Sequence, residues 1–221
     1  MKNAKIFRRT IPTAGSVQVR ASEDGESESR IIEGYAITFG TPSVVMGYER
    51  DTEIREYIAP EAVTEDVLDR SDIKLTIEHD GSLLLGRSRN GHGSLTYGID
   101  DHGVWFKCDM PRTVYGDHAL EAIRRGDIAG CSFMFTVSME DPDAVTREEA
   151  DGEVRYVVRN IERLYDFTLT ASPAYPATEV ERRSIAEILG NDAPHEEHDN
   201  AEIEAQLAEM RSQASLKNAI K

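Results

Sequence analysis

The sequence predicts an α+β, strand-rich fold, mixed or barrel-like rather than a doubly wound sheet. Three observations lead there. Strand-like runs outnumber helical ones between residues 31 and 180. Those runs do not alternate with helices in the regular βαβ manner. Turn residues cut the chain at short intervals, at Gly40-Thr41-Pro42, Gly81, Asp100–Gly103 and Gly126. At 221 residues the chain suits one domain with tails, and it can bury a core without disulfide staples.

The elements follow in order. Residues 1–30 read as a flexible N-terminal segment, because ASEDGESESR is too polar and acidic to bury apolar surface. Order is expected from IIEGYAITF, a strand over 31–39. EIREYIAP reads as a short strand. Pro60 then opens a helix through PEAVTEDVLDR, with Glu61 in the first turn to suit the helix dipole. DIKLTIEHD is a strand with Ile73, Leu75 and Ile77 on one face. LLLGRSRNGHGSLTYGID and HGVWFKCDMP read as two further strands joined at Asp100–Gly103. DHALEAIRRGDIAG is the clearest helix, with Gly126 as its stop. SFMFTVSME is a strand, DPDAVTREEADGE an acidic turn, and VRYVVRNIERLYDFTLTASPAY carries two more strands. Beyond the folded body of 31–180, residues 181–221 read as a helical tail, amphipathic through Ile203, Leu207 and Met210.

Charge and composition exclude several classes. A net charge of −16 and a pI near 4.8 argue against a nucleic-acid binder, which needs a cationic face for phosphates. No apolar run is long enough for a membrane span, so no membrane partner is expected. MKNAKIFRRT is basic but lacks the apolar core of a secretory signal, which points to the cytoplasm. Walker, Rossmann and G-x-S-x-G patterns are absent, and no cofactor is implied. Two cysteines, Cys108 and Cys131, cannot build a Cys-rich zinc site, and no other metal site is expected.

Three residues invite a chemical reading. Ser132 follows a helix stop and Gly130, where a substrate could approach; the bland alternative is a small polar residue packed in a strand. Cys131 is the rival nucleophile, but strand alternation sends the two side chains to opposite faces, and free cysteines are usually buried. His79 ends an apolar strand, a place where a sheet fixes a side chain and a loop exposes it. A structural histidine fits that position too. Asp166 is an acid within an apolar strand. It is either an edge-strand acid facing water or a carboxylate that orients an imidazole. His92 and His102 read as exposed turn histidines.

Taken together, five stretches in order resemble the prohead proteases of tailed bacteriophages, the procapsid-maturation serine peptidase family. EGYAITFGTPS is similar to its opening strand, and EYIAPEAV to its Glu-x-Ile-x-Pro-Gly-Ala-Phe helix entry. IEHD with LLLGR resembles its His-Asp and Leu-Gly-Arg pair, and AIRRGDIAGCSFMF its helix, glycine and Ser-Phe-Gly-Phe strand. DFTLTASPAYPAT resembles its acid-x-Ser-Leu-Val-x-x-Pro-Ala-Tyr-Pro segment. The chain departs from the pattern at Glu61 and Val63, and at Met134, which stands where the family has glycine and narrows the expected pocket.

The resemblance implies a β-barrel ringed by helices, as in the related herpesvirus maturation proteases, whose third catalytic member is a histidine. It implies His79 and Ser132 as catalytic residues, with Asp166 at the acidic position of the third member. It implies a serine endopeptidase, enclosed in the procapsid in the host bacterial cytoplasm, that cuts scaffold segments from the major capsid protein. Self-cleavage is implied too, with the tail from residue 181 as the expendable segment, and self-association is left open. Backbone amides of Gly130–Ser132 or Gly86-Arg87 are the expected oxyanion donors. Two other classes compete. A non-enzymatic capsid or scaffold assembly module predicts Ser132 and His79 apart or buried. A metal-dependent hydrolase on His79, Asp80 and His92 predicts chelator sensitivity.

Overall fold

A computed structural model describes residues 4–11, 17–21 and 29–171. All of them fall in the compact unit Met1–Asn191. The helices expected beyond residue 178 lie outside the described residues, as does 22–28 of the N-terminal segment.

Fourteen strands, two α-helices and one 3₁₀ turn make up the described chain. The strands are β1 (Ala4–Ile11), β2 (Val17–Val19), β3 (Ile31–Thr38), β4 (Gly47–Glu49), β5 (Thr52–Ile58), β6 (Asp72–Ile77) and β7 (Gly86–Arg89). They continue as β8 (His92–Gly93), β9 (Leu95–Ile99), β10 (Gly103–Asp109), β11 (Gly130–Ser138), β12 (Val145–Ala150), β13 (Glu153–Val158) and β14 (Arg163–Thr170). Helix α1 is Glu65–Arg70 and α2 is Val114–Arg125. Pairing sorts the strands into three sheets, in the orders β1-β11-β14-β6-β7-β8, β2-β3-β10-β9 and β12-β13-β5-β4.

The strand-rich α+β expectation holds. The closed barrel ringed by helices is not what the described residues form. Their ladders make three open sheets, and two α-helices are too few to ring them. The N-terminal expectation is corrected as well. Ala4–Ile11 is a strand, in antiparallel register with β11 from Ala4↔Ser138 to Ile11↔Cys131. Val17–Val19 pairs with β3. Both segments gain order from backbone ladders to distant strands, which local composition does not report.

Three local differences have plain causes. The helix expected from Pro60 is two pieces, a 3₁₀ turn Pro60–Ala62 and then α1, because Thr64 caps a fresh start by accepting from the Val67 amide. The strand expected through LLLGRSRNGHGSLTYGID breaks into β7, β8 and β9. Asn90-Gly91, both at positive φ, make a tight hairpin turn between β7 and β8. The acidic stretch after β11 is not all turn: Val145–Ala150 is a strand, and Asp151-Gly152 turns it into β13.

Helix α2 matches its signals. Thr113 accepts from the Gly116 amide at 3.2 Å, and Gly126 ends the helix at φ 78, a left-handed position where glycine carries no Cβ penalty. Gly86 is required for a different reason. A Cβ there would lie 2.5 Å from Cys108 Sγ, so glycine lets β7 of one sheet approach β10 of another.

The six-stranded sheet separates two chemistries by its pleat. One face carries Ile73, Leu75 and Ile77 on β6, Phe167 and Leu169 on β14, and Cys131 and Phe133 on β11, all buried. Phe167 meets Phe106 and Tyr97 of the second sheet, with ring centroids 6.1 and 6.3 Å apart. The residues between them point the other way: Thr76, Asp166, Thr168 and Ser132. Burying the apolar rows thus fixes the orientation of the polar ones, because a one-residue slip would exchange the faces. Leu75→Ala is expected to destabilise the protein by about 2–5 kcal/mol in denaturant titrations. Lys74→Ala, exposed on the adjacent position, should stay within about 0.5 kcal/mol.

Candidate active site

The site lies where three adjacent strands, β11, β14 and β6, run side by side. Register places Ser132 opposite Thr168, and Thr168 opposite Thr76. Asp166 sits two residues before Thr168, so it shares that face. His79 comes from the turn that leaves β6. Glu78 and His79 there have φ of 49° and 57°, left-handed conformations that non-glycine residues seldom adopt. Such conformations cost roughly 1–3 kcal/mol each and persist where surrounding contacts over-determine them.

The consequence is a linear relay. His79 Nε2 lies 2.8 Å from Ser132 Oγ. His79 Nδ1 lies 2.9 and 3.1 Å from the two carboxylate oxygens of Asp166. A carboxylate accepts only, so Nδ1 carries the proton and donates to Asp166, and Nε2 accepts from the Ser132 hydroxyl. Asp166 is buried on a central strand, which rules out an edge acid facing water. Its pairing with the imidazole answers the penalty that a lone buried carboxylate would carry. Ser132 itself is only 1% exposed.

The remaining candidates separate from this cluster. Cys131 faces the opposite, apolar side, and burial pushes its thiol well above the ordinary range. A thiol held protonated is a poor nucleophile. His92 and His102 are exposed, and His102 packs edge-on against Tyr35 with centroids 4.5 Å apart. Asp80 accepts from the Ser82 amide and hydroxyl, which hold its carboxyl below the usual range. Both ring nitrogens of His79 are engaged by Asp166 and Ser132, which leaves neither for a metal. Among the described residues no group of three or more metal-ligating side chains gathers. Of the expected oxyanion donors, the Arg87 amide already donates to Ser94 Oγ at 3.3 Å.

Sequence reasoning missed Thr76, Glu78 and Thr168. The His79 amide donates to Thr168 Oγ1 at 2.8 Å, and the Thr76 hydroxyl bonds that same oxygen at 2.9 Å. Glu78 accepts from the Thr170 hydroxyl and the Ala171 amide at 3.0 and 2.9 Å. The signal was available in the alternating Asp166-Phe167-Thr168 pattern, which puts the hydroxyl on the acid's own face.

A buried serine whose hydroxyl faces an imidazole, itself bonded to a carboxylate, defines the Ser-His-Asp class of site. The model of the caudovirus prohead serine protease family matches residues 15–190. The chain belongs to that family, and at that level it is a serine peptidase of capsid maturation. No curated protein matches it. Among solved structures it is similar to the bacteriophage T4 capsid assembly protease gp21, at 11% identity and a TM-score of 0.45, over 76% of this chain and 98% of that one.

The thiols give a pH prediction. Burial pushes Cys108 up to about 12 and Cys131 in the same direction. Unfolded thiols ionise near about 8.5, so between there and about 12 the folded state holds more protons than the unfolded. Stability is therefore full below that window and falls as pH rises through it. Cys108→Ala should flatten the alkaline fall by up to about 1.4 kcal/mol per pH unit, read from denaturation midpoints at neutral and alkaline pH.

Proposed function

We propose that Ser132, His79 and Asp166 are the catalytic triad of an endopeptidase that cuts scaffold segments from the major capsid protein of its phage, and cuts itself. The work is done inside the procapsid, in the host cytoplasm. Residues 31–180 form the body of the protease domain, to which β1 and β2 of the segment 1–30 add strands. Residues 181–221 are the segment that self-cleavage removes. The observation that carries this reading is the unbroken relay from Asp166 through His79 to Ser132, at 2.9 and 2.8 Å. Family membership supplies the class of reaction and the setting.

The chemistry follows from the hydrogen bonds. Ser132 Oγ attacks a peptide carbonyl carbon while its proton passes to His79 Nε2. Asp166 holds the imidazole in the tautomer that leaves Nε2 free to accept, and it stabilises the imidazolium that forms. Collapse of the tetrahedral adduct breaks the C–N bond, and the Nε2 proton goes to the departing amine. Water then repeats the sequence on the acyl-enzyme, with His79 again the base. The negative oxygen of each adduct needs backbone donors held in place, each worth roughly 10²–10³ in rate.

One observation favours a second reading, a non-enzymatic assembly module on a protease-like fold. Ser132 is 1% exposed, as that reading expects. Contact between Ser132 and His79 speaks for the enzyme instead.

Intact-mass analysis after expression separates the two. The wild type should lose terminal segments, in chelator as well as without it, and Ser132→Ala should stay whole. Asp166→Asn should slow trimming on the order of 10⁴-fold, because an amide favours the wrong imidazole tautomer. Equal trimming of wild type and Ser132→Ala would assign the cutting to a host enzyme.

A further inference from the structure

We infer that Thr168 is a positioning residue for His79, and that strand β14 grips this histidine at two points. The inference rests on the triad reading above. Asp166 and Thr168 are i and i+2 on β14, about 7 Å apart along one face. Asp166 takes the imidazole through Nδ1, and Thr168 Oγ1 takes the backbone amide of the same residue at 2.8 Å.

Two ends of one residue are thereby fixed to one rigid element. That is the over-determination a left-handed histidine needs. With φ at 57°, His79 cannot continue the β6 ladder through its amide. The preceding amide, of Glu78, still bonds Leu169 O at 3.1 Å as the parallel pairing runs out. At the next residue a side-chain hydroxyl replaces the carbonyl as acceptor. That hydroxyl is set in turn by Thr76, its register partner on β6, at 2.9 Å. Thr76 and Thr168 are 1% and 0% exposed, so water cannot stand in for either. Glu78 adds a separate hold on the turn through Thr170 and Ala171.

The functional claim is that the Thr168 hydroxyl sets the reach of Nε2 toward Ser132. A misplacement of about 1 Å in such a relay can lower the rate by about 10²-fold. Valine at 168 keeps the shape and removes the acceptor; serine keeps the acceptor and removes a methyl group.

The test is the rate of covalent labelling of Ser132 by a fluorophosphonate, measured against probe concentration on the full chain. Thr168→Val is expected to lower the limiting labelling rate by about 10–100-fold, with the half-saturating probe concentration unchanged. Thr168→Ser should restore most of that rate. A limiting rate in Thr168→Val equal to wild type would overturn the inference. So would equal slowing in Thr168→Val and Thr168→Ser, since the hydroxyl would then not be what matters. If Thr168→Val does not fold, hydrogen exchange of the wild-type His79 amide decides: strong protection supports the bond to Thr168, and loop-like exchange overturns it. A wild type that takes no label at all would sink the triad reading itself, and this inference with it.

Discussion

Everything at this site depends on one short parallel pairing, β6 against β14, and on how it ends. Four register pairs from Asp166↔Lys74 to Leu169↔Ile77 bring the two strands together. Their apolar residues are locked in the core with Phe106 and Phe133. Beyond Ile77 the chain cannot stay extended, because Glu78 and His79 turn left-handed. That turn aims an imidazole back over the sheet it has just left. The core thus supplies the stability, and the turn spends a little of it to place one side chain.

The same pleat explains why a serine, an acid and two threonines can be buried together without penalty. Each is answered by another: Ser132 and Asp166 by His79, Thr168 by Thr76 and the His79 amide. A network of this kind is favourable only when complete. Removing one member leaves its neighbours buried and unpaired, so the polar face behaves as a unit. Cys131, next to Ser132 in the chain, shows the contrast. It belongs to the other face, where burial keeps the thiol protonated.

Much of this was legible in the sequence, for identifiable reasons. Strong local patterns read correctly: α2 with its glycine stop, the alternation of β6, and the strand that begins at Gly130. His79, Ser132 and Asp166 stood out because each breaks an apolar run or follows a turn, and the order of motifs tied them together. What the sequence hid were non-local pairings. Ala4–Ile11 becomes a strand only because β11 offers it an edge. Asp166 reads equally as an edge acid or as a partner for an imidazole until β11 and β6 are seen to flank β14. The two side-chain bonds of Thr168 span 92 and 89 residues, so no local window contains them. Asn90-Gly91 was a local signal, and was lost inside a longer run of strand formers.

The central claim is that Ser132 is a nucleophile activated by His79. The most direct measurement is to treat the folded full-length protein with a fluorophosphonate and map the adduct by peptide mass spectrometry. The account predicts a single phosphonylated residue, Ser132, and no adduct in His79→Ala, whose serine has lost its base. An adduct that persists undiminished in His79→Ala, or one that maps away from Ser132, would contradict it.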